Sequence, residues 1–143
     1  MKSHQDSRRK QIARGLFRIM LSGIFIVAGI NHLRQTKQTA ARLESAPMGH
    51  LATYIADPHT LVLLASVPLI IAGIALLIGL FTPVAAMVLI AMIIPITLTV
   101  QIGDLSTMGP LFKNIGLTGG LLYFAAHGSH SVSVDGLRQA DES

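Results

Sequence analysis

Residues 58–103, PHTLVLLASVPLIIAGIALLIGLFTPVAAMVLIAMIIPITLTVQIG, run for 46 positions without one Asp, Glu, Lys or Arg. A helix needs about 20 mostly apolar residues to cross a hydrocarbon core about 30 Å thick, so this stretch holds two crossings. Phe81-Thr82-Pro83 divides it, because Pro83 cannot continue a helix and no long polar spacer intervenes. The chain must therefore reverse tightly, giving predicted antiparallel spans over 60–80 and 84–102. Pro68 and Pro95 fall inside them. Membrane helices tolerate proline where neighbouring groups satisfy the freed carbonyls, and Thr97 and Thr99 are candidate local donors.

Outward from this pair, residues 15–33 form a third apolar run, preceded by Lys2, Arg8, Arg9, Lys10 and Arg14 and carrying Arg18 in its first turn. Arg14 and Arg18 are expected to anchor the cytoplasmic end, with Arg18 reaching headgroups by snorkelling. A fourth segment is shorter: residues 115–127 supply 13 positions, about 20 Å of helix at 1.5 Å each. Extended back to residue 111 it includes Lys113 and Asn114. Either Lys113 snorkels outward or both side chains face a protein-lined polar pocket.

The connection from Arg34 to His59 is polar, and Gln35–Ser45 has helix-forming composition before Pro47 and Gly49 interrupt it. A short surface helix followed by an irregular loop is expected there, as the main recognition surface. The reading is all-α: a polytopic four-transmembrane-helix bundle with a longer first loop. A basic cytoplasmic tail covers 1–13, the membrane domain 14–128, and a polar, solvated or disordered tail 129–143.

Composition agrees, since 51% hydrophobic against 13% charged residues lies far from a soluble globular domain. The net charge of +4 comes largely from the residues around the first span, which favours a lipid-facing amino terminus over nucleic-acid binding. The chain has no cysteine, so disulfide, thiolate or cysteine-ligated cluster chemistry must belong to a partner. Basic residues before an apolar run also resemble a signal peptide. This run reaches Leu33 without an Ala-x-Ala exit and is followed by further spans, so it reads as a retained helix.

Small residues mark packing faces: Gly15, Ser22 and Gly29 on the first span, Ala65, Ala72 and Gly79 on the second, and a GxxxG at Gly116 and Gly120 on the fourth. Such stripes let helix backbones approach in lipid, within the bundle or across a homo-oligomer face.

Four spans and the positive-inside rule place both termini in the cytoplasm. Polar residues then sort into two layers. Asn31, His32, Gln101, Asp104, Lys113 and Asn114 occupy the non-cytoplasmic end, and Arg14, Arg18, Thr82, His127 and His130 the other. His32 and His127, a bilayer thickness apart, cannot share one haem iron. His127 and His130 lack a third ligand, so no metal is assigned. The outer layer is a candidate pocket for a polar headgroup, a quinone carbonyl or a proton relay, or simply a set of helix-end caps.

Ala28-Gly29-Ile30-Asn31-His32-Leu33, the run Ala72-Gly73-Ile74-Ala75-Leu76-Leu77-Ile78-Gly79-Leu80-Phe81-Thr82, and Leu111-Phe112-Lys113-Asn114-Ile115-Gly116-Leu117-Thr118-Gly119-Gly120 resemble the DoxX family. The likeness runs from about Arg14 to Asp135, and Phe112-Lys113-Asn114 with its following glycines is its most specific part. It implies a four-helix membrane protein. Relatives include DoxD-like subunits of a thiosulfate:quinone oxidoreductase and mycobacterial members of a redox complex with thiol- and superoxide-handling enzymes. Many relatives carry lysine at the position of His32 and arginine at that of Pro83. The resemblance also implies a bacterial-type plasma membrane or thylakoid. Taken with the missing cysteine and the polar outer layer, it favours a non-catalytic membrane subunit or scaffold for a redox partner. The alternatives are a quinone-linked oxidoreductase subunit using His32, Gln101, Asp104, Lys113 and Asn114, and a small solute or lipid transporter.

Overall fold

The computed structural model describes residues 2–102 and 105–129. Asp104, His130 and the tail expected over 130–143 lie outside the described residues. The fold is all-α: α1 (Lys2–Arg34), α2 (Thr36–Ser45), α3 (Gly49–Thr53), α4 (Pro58–Ile78), α5 (Thr82–Val100) and α6 (Met108–His127), with a 3-10 turn at Leu105–Thr107 before α6. Among the described residues three helices are long and apolar enough to cross a membrane: Gln5–Arg34 within α1, α4 and α5. The fourth long helix, α6, has 20 residues but is diluted by Lys113, Asn114 and four glycines.

Local chemistry sets the α4 boundaries. The Asp57 carboxylate accepts from the Thr60 amide at 3.2 Å, and Pro58 occupies the first helical turn, where its missing N–H costs nothing. At the other end Gly79 takes φ 70°, its amide bonding Leu76 O at 3.2 Å while the Leu80 amide bonds Ala75 O at 2.9 Å. This Schellman pair satisfies carbonyls that the helix end would orphan. Phe81 follows in the left-handed region at φ 45°, and α5 begins at Thr82. The expected reversal is thus three residues, 79–81.

Pro68 and Pro95 lie within continuous helices. Thr97 Oγ1 donates to Ile93 O at 2.6 Å and Thr99 Oγ1 to Pro95 O at 2.8 Å. Neither threonine reaches the carbonyl four residues before Pro95, at Ala91, so their expected role in repairing the proline break is corrected. Both instead bond one turn back along their own helix.

The four long helices form a ring in which α1 packs along α4, α4 against α5, and α5 against α6. Two glycines set the α1–α4 approach. A Cβ on Gly29 would lie 2.6 Å from Ile70 and 3.1 Å from the Ser66 carbonyl; one on Gly73 would lie 2.9 Å from Ile26. These pairings fix an antiparallel register, and close packing of this kind replaces the hydrophobic drive that helices lack in lipid. Gly120 likewise admits Phe17 and Leu21 between α6 and α1. Gly116 does not act in this way: nothing lies within 4 Å of where its Cβ would be, so its expected packing role within the bundle is corrected.

Leu76, Leu89, Leu121 and Phe124 fill the centre. Ile24, Val27, Leu64, Ile71, Val84 and Met87 face outward. Apolar residues both inside and outside a bundle are what a bilayer solvent permits and water does not. The connection after α1 is more ordered than an irregular loop. α2 buries Thr36, Ala40 and Leu43 and packs on α4, and α3 leans on α5, so the two short helices lie over one end of the ring. That end is called the loop end below, and the opposite one, with Gly79–Phe81, the turn end.

Candidate functional site: the loop end of the bundle

The described residues of the predicted polar layer all reach the loop end, because α1 and α5 finish there and α6 begins there. They do not converge on one pocket. Asn114, 6% exposed, is turned inward, and its Nδ2 donates to Thr97 Oγ1 at 2.8 Å. Thr97 in turn donates to Ile93 O, so the amide is tied into the α5 backbone. This pair joins two helices, and Asn114 is a structural clasp.

Asn31 and Lys113 part from it. Both stand on a cleft of about 480 Å³ between α1 and α6, whose walls include Gly23, Ile24, Val27 and Ala28. The cleft exists because the two helices meet only toward the turn end. There Phe17 packs on Phe124 with ring centroids 5.4 Å apart, on Tyr123 at 6.4 Å, and over Gly120.

His32 and Gln101 form the third group. His32 is half-buried near the end of α1, and its Nδ1 is out of contact with solvent and has no hydrogen-bond partner among the described residues. Gln101 Oε1, beyond the end of α5, is in the same condition. The Gln101 carbonyl, by contrast, accepts from Thr107 Oγ1 at 2.7 Å. Unbonded buried polar atoms are uncommon, since each forfeits its hydration without replacement. These two atoms are the nearest approach to a ligand-seeking feature in the bundle interior.

Outside the ring, α2 and α3 expose an apolar rim. Tyr54 is 95% exposed and Ile55 79%, with Leu51 beside them on α3. Arg34, Lys37 and His59 border a surface hollow of about 400 Å³ where α1 breaks into α2 at Gln35. Sequence reasoning assigned this region to recognition without distinguishing its apolar rim from its basic hollow.

The turn end corrects one expectation. Arg14 is exposed, but Arg18 is 6% exposed and turned into the protein rather than snorkelling to headgroups. The α1–α4 register sets it at the level of the Gly79–Phe81 reversal. Thr82 and Ser129 are buried at this end too, and Thr82 Oγ1 donates to Ser129 Oγ at 3.0 Å. Ser129 was not foreseen; the signal was Gly128, whose φ of 63° folds the chain back after α6. His127 stacks on Tyr123 with centroids 4.7 Å apart, and its Nδ1 lies 3.0 Å from Tyr123 O. Among the described residues no three His, Cys, Asp or Glu side chains gather as a metal site would require.

Comparison with known families adds a decisive observation: the sequence model of one family, DoxX, matches residues 14–102, more than half of the 143-residue chain. The chain belongs to the DoxX family. The DoxX match spans α4, α5, the α2–α3 platform and α1 from Arg14 onward. It ends before α6, so Phe112-Lys113-Asn114, read above as the most specific part of the resemblance, falls outside the matched segment. No curated protein and no solved structure matches this DoxX chain.

Proposed function

We propose that this DoxX protein is a non-catalytic membrane subunit that holds a redox enzyme against the bilayer through the α2–α3 platform. The observation that carries the reading is the exposure of Leu51 on α3 and of Tyr54 and Ile55 directly after it, on a connection whose α2 is fastened to the bundle by buried Thr36, Ala40 and Leu43. Aromatic and aliphatic side chains on a rigid base are the anchors around which protein interfaces form. Arg34 at the end of α1 and Lys37 and Arg42 on α2 are exposed and make no ion pair among the described residues, which suits an acidic partner surface. With no cysteine in the chain, thiol chemistry would reside in that partner.

In this reading α6 is the fourth crossing, the turn end and both termini are cytoplasmic, and the membrane is a bacterial-type plasma membrane or thylakoid. The test is crosslinking of the tagged protein in its native membrane, followed by mild extraction and analysis of both proteins and quinone. A redox enzyme that co-purifies, and is lost from Tyr54→Ala/Ile55→Ser, is the expected result. No reproducible partner, or one indifferent to that variant, would overturn the proposal.

A second reading is favoured by one observation: among the described residues the buried His32 Nδ1 and Gln101 Oε1 have no hydrogen-bond partner. A quinone-linked subunit would use His32, with the proton on Nδ1, to donate to a quinone carbonyl, and Gln101 Oε1 to accept from the hydroxyl of the reduced quinol; stoichiometric quinone lost from His32→Ala would support it. The transporter reading drew on interrupted helices; α4 and α5 run unbroken through their prolines.

A further inference from the structure

The α1–α6 cleft has a shape and a polarity that the scaffold reading leaves unused. At its closed end Phe17 and Leu21 fill the notch over Gly120. Toward the loop end the helices diverge. A Cβ on Gly23 would meet nothing within 4 Å although the residue sits mid-span on α1. The walls at Gly23, Ile24, Val27 and Ala28 are wholly apolar, and Asn31 and Lys113 mark the loop-end limit. Asn31 stands three residues before the end of α1 and Lys113 five after the start of α6, so both lie near the helix ends, where headgroups would be.

Among the described residues no anion compensates Lys113. It makes no ion pair or hydrogen bond among the described residues, and no Asp or Glu lies on the facing α1 wall from Phe17 to Arg34. An ammonium group at the edge of hydrocarbon is costly unless something neutralises it. The occupant that answers both halves of the cleft carries an apolar chain and an anionic head. We propose that the α1–α6 cleft is a binding site for an anionic phospholipid, one acyl chain lying along Gly23–Ala28 and the phosphate accepting from Lys113 Nζ and the Asn31 amide. A neutral lipid would fill the walls but leave the lysine unanswered. A quinone would lack the full charge that sets the preference.

The test uses the full chain, stripped of lipid in detergent and reconstituted into nanodiscs containing equal parts phosphatidylglycerol and phosphatidylcholine. The lipids still attached after re-extraction are counted by native mass spectrometry. Wild type should retain phosphatidylglycerol over phosphatidylcholine by about tenfold, the scale of one charge-assisted contact. Lys113→Gln should abolish that preference while the protein still holds lipid. Gly23→Leu, which the open space accommodates, should remove bound lipid of both kinds, and Val27→Phe provides a second way of filling the cleft if the first variant misfolds. Lys10→Gln, remote from the cleft, should change nothing. Equal retention of the two lipids by wild type, a preference that survives Lys113→Gln, or a cleft occupied by added ubiquinone or by a second copy of the chain would each overturn the proposal. Partner capture is read separately, so the scaffold reading stands or falls on its own.

Discussion

Asn114 donates to Thr97 across the α5–α6 seam at 2.8 Å, seventeen residues away in sequence. Asn114→Ala should lower stability in detergent micelles by about 1 kcal/mol, within the range that interhelical hydrogen bonds reach in membranes. Thr97→Ser keeps the hydroxyl and should leave the pair intact. A double-mutant cycle with Thr97→Val, followed by denaturant unfolding, checks whether the energy is shared; additive losses would show that it is not.

Glycines in this bundle should separate sharply in their tolerance. Gly73→Ala places a methyl group 2.9 Å from Ile26 and 3.3 Å from its backbone nitrogen, whereas Gly116→Ala meets nothing. The first should cost about 1–3 kcal/mol by overpacking. Gly116→Ala should be neutral or slightly stabilising through helix propensity. Thermal aggregation midpoints of the two purified variants give the comparison.

Gly49 links α2 to α3 by close approach alone, since a Cβ there would collide with the Leu43 carbonyl oxygen. Gly49→Ala should detach α3 without unfolding the ring. Amide hydrogen exchange should then quicken over Gly49–Thr53 and remain unchanged over α4.

Side assignment can be tested directly because the native chain contains no cysteine. Single replacements Ser7→Cys and Tyr54→Cys should react from opposite faces with a membrane-impermeant maleimide. In intact cells Tyr54→Cys should label, and Ser7→Cys only after permeabilisation. Labelling of both from outside would refute the orientation with the turn end in the cytoplasm.

The three most apolar spans were legible because hydrophobicity without charge is a property of sequence alone, and the break between α4 and α5 because Pro83 has one dominant conformational use; Gly79, read as a packing residue, instead caps α4 in the left-handed region. Burial of polar residues was less legible. Arg18 and Arg14 differ by four positions and so share a helix face, yet one is enclosed by the bundle and the other projects beyond it. Nothing in residue type distinguishes them. Asn31, Asn114 and Lys113 stand toward one end of the bundle, but which amide faces a neighbouring helix depends on the azimuth of α6, and that is set by where Gly120 admits Phe17. Gly116 and Gly120 are identical in sequence terms, and only the placement of α1 tells the seat from the open face.

Helix α1 continues unbroken from the bilayer back to Lys2, with a consequence for the ionic-strength response of its basic residues. Arg8 and Arg18 are held about 15 Å apart along a rigid axis, nearly two screening lengths of about 8 Å at physiological salt. A loose tail could collapse all its cations onto the lipid surface at once. A rod holds them at graded heights, so added salt should mute Arg8, Arg9 and Lys10 while leaving enclosed Arg18 largely untouched.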